Sequence, residues 1–147
     1  MPPIVKFGVF LYIKIMNKIN IKALSVNEAW QGRRFKTQKY KIYESKVLNL
    51  LPDIEIPPKD WLIIYHVGYS NAQSDIDNFV KPFQDCLQKR YNINDRYIYA
   101  YIIEKHIVPK GEEYIQFEII HVNIEEKDKT RKPQLLEALI GVYIKNV

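Results

Sequence analysis

Apolar Ile19, Ile21 and Ala23 alternate with Lys18, Asn20 and Lys22, the period-two signature of a strand with one wet face. Residues 4–24 thus predict one or two strands. Met16-Asn17-Lys18-Ile19 opens the better-patterned one, which makes Met16 a second candidate start and residues 1–16 an N-terminal extension without a motif of its own. Ser25 to Lys36 is polar and basic, with Gly32 inside it, and reads as a loop. From Gln38 to Leu51 the period changes. Tyr40, Tyr43, Val47 and Leu50 fall three and four apart, so one face of a helix is apolar, and Pro52, Pro57 and Pro58 exclude its continuation.

Trp61 to Val67 is a compact apolar run and predicts a buried strand, followed by a loop over Gly68 to Ser74. Phe79, Val80, Phe83, Cys86 and Leu87 then recur at helical spacing within Asn78 to Arg90. With Asp77 as N-cap, Pro82 falls just past the amides that a first turn leaves unpaired, so the turn is distorted or the helix starts later. Ile98–Val108 and Tyr114–Val122 predict two strands joined as a hairpin by Pro109-Lys110-Gly111-Glu112. A charge run from Glu125 leads to Pro133, and Gln134 to Lys145 predicts a terminal helix in a C-terminal appendage over 123–147.

A chain of 147 residues, 47% hydrophobic and 27% charged, has the size of one domain and the means to bury a core, which excludes a disordered or fibrous protein. The single Cys86 removes any disulfide framework or multi-cysteine zinc site and suits a reducing cytoplasm. The longest apolar run, Phe7 to Ile13, is far short of the roughly 20 residues a spanning helix needs, and no small-residue cleavage site follows it. No membrane association is therefore expected. Charge is unevenly spread. Lys14, Lys18, Lys22, Arg33, Arg34, Lys36, Lys39, Lys41 and Lys46 face only Glu28 and Glu44 between residues 14 and 46, a surplus of seven in a chain of net charge +5. The remainder is thus acidic by two. A protein that grips a polyanion and also binds a cation has this layout, and so does a plain solvated lysine surface.

The candidate chemistry lies in Ser74-Asp75-Ile76-Asp77-Asn78-Phe79-Val80-Lys81. Two carboxylates two residues apart can point to one side where an extended loop enters a helix. They repel unless a cation neutralises them, and hard oxygen donors select magnesium or manganese. Lys81 and Asp85 continue at spacings of four, and Asp95 follows the helix in Ile93-Asn94-Asp95-Arg96, from where a returning strand could bring it back to Asp75 and Asp77. The structural alternative is a helix cap, a loop acid, an exposed lysine–aspartate pair and a turn aspartate. His66, His106 and His121 are scattered over strands without ligand spacing and read as structural, as does Cys86 on its helix's apolar face. Glu104 beside Lys105 reads as a solvated strand pair.

Asp75-Ile76-Asp77-Asn78-Phe79-Val80-Lys81, Phe83-Gln84-Asp85-Cys86-Leu87, Asn94-Asp95 before a strand with Lys105, and Lys110-Gly111 before a closing strand together resemble the RusA-type Holliday-junction resolvases. Ser25-Val26-Asn27-Glu28-Ala29-Trp30, Arg33-Arg34 and the basic helix behind them resemble that family's opening. The likeness spans roughly residues 18–122. It implies an α+β fold, a small mixed β-sheet packed with two main helices, assembled as a homodimer. It further implies a magnesium-dependent endodeoxyribonuclease, with manganese as substitute, that cuts four-way DNA junctions in recombination and repair and is often phage- or prophage-derived. By the same resemblance Asp75, Asp77 and Asp95 hold the metal and Lys81 is catalytic. Ser74 replaces a basic residue, Pro82 enters the helix, and Asn94-Asp95 stands for an acidic pair.

The chemistry is consistent. A phosphodiester resists attack, and a metal held by three carboxylates would polarise a phosphoryl oxygen and lower the pKa of bound water from about 15.7 toward neutrality. Lys81 would stabilise the developing charge. Asn27, Arg33, Arg34, Lys36 and Lys39 would grip the backbone, and about five neutralised phosphates predict a log K–log salt slope of roughly −4 to −5. The alternative class is a non-catalytic basic DNA-binding or phage structural protein. A metal-dependent phosphatase fits worse, because Asn78 and Phe79 stand where an aspartyl-phosphate enzyme has threonine or serine.

Overall fold

The computed structural model describes residues 16–32 and 35–122. The early strand expected before Met16, the pair Arg33 and Arg34, and the terminal helix expected over 134–145 lie outside the described residues. Within them the fold is mixed α+β, built on a four-stranded sheet and two long helices.

Strand β1 (Asn17–Ile19) is followed by a one-turn helix α1 (Val26–Ala29), a two-stranded ribbon β2 (Trp30–Gln31) and β3 (Phe35–Lys36), helix α2 (Gln38–Leu50), strand β4 (Trp61–Tyr69), helix α3 (Val80–Tyr91), a 3-10 turn at Asp95–Tyr97, and strands β5 (Ile98–Ile107) and β6 (Tyr114–His121). The segment expected to be a loop, 25–36, thus carries structure of its own. Ser25 caps α1 by accepting the Asn27 amide at 3.2 Å, and Thr37 caps α2 by accepting the Tyr40 amide at 3.1 Å. The period-two run beyond Ile19 leaves the sheet, and Ile21 and Ala23 pack at the margin of the core instead.

β4 is the organising strand. Its residues Trp61, Ile63, Tyr65, Val67 and Tyr69 enter the main core together with Tyr40, Tyr43 and Val47 of α2 and Phe83, Cys86 and Leu87 of α3. Leu62, Ile64, His66 and Gly68 point to the other face, where Leu62 and Val122 form a small second cluster. A strand apolar on both faces belongs at the centre of a sheet. Accordingly β4 pairs with β6 antiparallel on one side and with β5 parallel on the other, and the sheet order is β1-β6-β4-β5.

This corrects the expected hairpin. The turn exists, closed by the Glu112 amide on the Pro109 carbonyl at 3.0 Å with Gly111 at φ 96, but its strands splay to opposite sides of β4. The Val108 amide bonds the Tyr69 carbonyl at 2.8 Å as the chain passes the end of β4.

α3 starts later than Asp77. The Asp77 carbonyl takes the Val80 amide in a turn before the helix, Phe79 is the cap residue, and Pro82 falls in the first turn, where no intrahelical donor is missed. The helix ends on Asn92, left-handed at φ 54, with Lys89 and Arg90 in its last turn.

Candidate functional site

The loop between β4 and α3 presents Asp75 and Asp77, both exposed. Its conformation is held from three sides. Asn78 Nδ2 donates to Asp75 Oδ2 at 3.0 Å, the Asn78 carbonyl accepts the Val26 amide at 2.8 Å, and Lys105 Nζ donates to the Ser74 carbonyl at 2.8 Å and that of Ala72 at 3.3 Å. Lys105 of β5 therefore positions the loop by capping two carbonyls. Burial, and then the charges of Asp77 and Asp75, push the Tyr69 phenol up to about 12, which sets both acids near the C-terminal end of β4.

Asp95 sits at the opposite end. It opens the 3-10 turn that leads into β5, whose first residue, Ile98, is in register with Trp61 at the start of β4. Burial and then Asp95 raise Tyr101, two residues further into the sheet than Tyr99, up to about 12. Between the two acid groups run the nine residues of β4 and the twelve of α3, or roughly 18 Å of helix alone. The return of Asp95 to Asp75 and Asp77 expected from the sequence does not occur within one copy of the chain: the helix carries the polypeptide back to the strand's beginning, and β5 starts there.

Lys81, in the first turn of α3, pairs with Asp85 at 2.9 Å, the i,i+4 contact that the structural alternative anticipated. Asp77 is not on that helix face, because the helix begins after it. Among the expected DNA contacts, Asn27 is exposed, Lys39 meets Glu28 at 3.1 Å, and Lys36 meets Glu44 at 2.8 Å.

An open cleft of about 520 Å³ links the acidic loop to the basic block. Its walls are α1 and the segment before it, one face of α2, the loop after β4 and the end of the β5–β6 connection, and they carry Lys22, Lys39 and Lys46 together with Glu28, Asp75 and Glu113. Lys22 and Lys46 were counted in the basic surplus but not singled out as contacts. Their shared place becomes visible only when α2 packs beside residues 21–25.

A second cluster escaped sequence reasoning. In parallel register His66 of β4 stands opposite Glu104 of β5, and Gly68 opposite His106. His66 Nδ1 lies 3.2 Å from His106 Nε2 and 3.3 Å from Glu104 Oε2, and His106 Nε2 is 3.7 Å from Glu104 Oε1. Burial pushes the His66 imidazolium down, Glu104 opposes that shift, and His106 adds to it. Glu104 and His106, two apart on a strand, were the available signal: alternate residues share a face.

Compared with known proteins, the chain matches no protein-family model and no curated protein. Its own residues therefore carry the functional argument.

Proposed function

We propose that the chain is a magnesium-dependent endodeoxyribonuclease that cuts branched, four-way DNA as a homodimer, the activity its resemblance to RusA-type resolvases implies. The observation that supports this most is the cleft of about 520 Å³: Asp75 of the acidic loop lines it together with Lys22, Lys39 and Lys46, beside Glu28 and Glu113. Phosphate contacts from such lysines hold DNA without reading its sequence. The oxygen donors of Asp75 and Asp77 fit magnesium or manganese, and the Asn78 amide orients one of them. When bound, such an ion polarises a phosphoryl oxygen and acidifies water. Lys81 is held by an exposed i,i+4 pair worth only about 0.3–0.5 kcal/mol, so a DNA phosphate can displace Asp85 from it. In this reading the third carboxylate, Asp95, is supplied by a second copy of the chain, which makes dimerisation a condition of activity.

The non-catalytic DNA-binding reading rests on the same lysines and on the remoteness of Asp95 from the other two acids. One assay separates the two. With a synthetic four-way junction and magnesium, Asp75→Asn is expected to lose at least about 1,000-fold in cleavage while junction binding stays within about threefold. Unaltered cleavage in Asp75→Asn, or equal cleavage after chelation, rejects the nuclease reading. Binding without any cutting by the unmodified chain selects the alternative.

A further inference from the structure

On the face of the sheet turned away from α2 and α3, registered neighbours form a polar row across all four strands: Lys18 opposite Gln116, Gln116 opposite His66, and His66 opposite Glu104. His106 lies one step along β5 from this row. Beside it, Gly68 admits the ring of Tyr114, which a side chain at that position would overlap. The site thus has a floor of paired backbone and an aromatic wall.

We propose that His66, Glu104 and His106 form a binding site for one divalent ion of the zinc class, with solvent in the fourth position. Zinc bonds to imidazole nitrogen at about 2.0–2.1 Å, so two ligand atoms on a tetrahedral ion stand about 3.3 Å apart. His66 Nδ1 stands 3.2 Å from His106 Nε2 and 3.3 Å from Glu104 Oε2, both at that edge, while the other oxygen, Oε1, is 3.7 Å from His106 Nε2. One donor atom from each residue lies within 4.8 Å of the others, so a rotation of the exposed Glu104 carboxylate closes the set. Two imidazoles and one carboxylate are the donor set of open, three-ligand zinc sites and of iron(II) and cobalt(II) sites, whereas magnesium prefers oxygen alone. His66 is 6% exposed and fixed in the central strand, while the side chains of Glu104 and His106 are 57% and 39% exposed, so an ion can enter from the solvent side. Two neighbouring strands hold ligands more precisely than a loop would. The site is independent of the nuclease reading, because it shares none of the residues proposed for that activity.

The test uses the full, tag-free chain after chelator treatment, titrated with zinc chloride by calorimetry and with cobalt chloride by visible absorption. One zinc per chain is expected with a dissociation constant below about 10 µM, cobalt should give tetrahedral-type bands, and magnesium in about thousandfold excess should not compete. Because His66 is buried and its replacement can unfold the chain, the deciding variants are His106→Ala and Glu104→Gln. Each should weaken zinc binding at least about tenfold with the circular dichroism unchanged. The combined Asp75→Asn, Asp77→Asn chain should bind zinc as before. No binding tighter than about 100 µM, or undiminished binding in His106→Ala, overturns the proposal, as does loss of zinc in the aspartate variant alone.

Discussion

Glu44, on α2, accepts from Lys36 Nζ at 2.8 Å and from Lys89 Nζ at 3.0 Å, and so ties the ribbon and α3 to the helix between them. Burial alone would raise its carboxyl, but the two lysines outweigh burial and hold it below the ordinary 4.5. Its folded-state value being depressed, the stabilisation is present above the unfolded value and lost as pH falls through the folded one. Glu44→Gln should therefore cost about 0.5–1 kcal/mol at pH 7. Chemical denaturation should show that gap closing as pH falls below the ordinary 4.5 and through the depressed native value. A gap that stays the same size all the way down the acid limb would mean that packing, not charge, was lost. None of this was legible in the sequence, where Lys89 is 45 residues from Glu44. What the sequence did carry at this scale was residue type: Asp75 and Asp77 in a loop, and lysines on a helix with a clear apolar face.

Elements were legible where their period was long and unbroken. The 3.6-residue pattern of α2 and the apolar run of β4 give their positions to within two residues, because burial of one face dictates both. Neighbour relations were not. A four-residue turn with glycine reads as a hairpin, yet β4, apolar on both faces, takes both β5 and β6 as partners and separates them. The same insertion creates the His66–Glu104–His106 cluster, whose members come from strands joined through α3, so two of the three histidines without local spacing acquire one in space. The close fit of β4 against β6 at Gly68 can be tested. Gly68→Ala should destabilise by about 1–3 kcal/mol, since a methyl group would overlap the Tyr114 ring. Adding Tyr114→Ala should remove most of the overlap, so that the two changes are strongly non-additive in a double-mutant cycle. Simple additivity would show that the ring moves aside without cost.

At the scale of the whole molecule, the helix that joins the two parallel strands also separates the acids. α3 links the C-terminal end of β4 to the N-terminal start of β5, so a chain with this topology holds Asp75 and Asp77 at one end of the parallel pair and Asp95 at the other. A metal site uniting Asp75, Asp77 and Asp95, as proposed above, would then have to form between copies, and a two-fold dimer would contain two such sites, each built from both chains. That arrangement has a distinctive signature. Asp75→Asn and Asp95→Asn chains should each be inactive alone. Unfolded together in equal amounts and refolded, about half of the dimers should be mixed, and each mixed dimer keeps one site with all three carboxylates, so about one quarter of the original sites return. Because a mixed dimer has a single working site, its product should be a junction nicked in one strand instead of a pair of resolved duplexes. Sites contained within one chain would give no recovery at all, since every chain in the mixture lacks an acid, and full activity of either variant alone would remove that acid from the reaction.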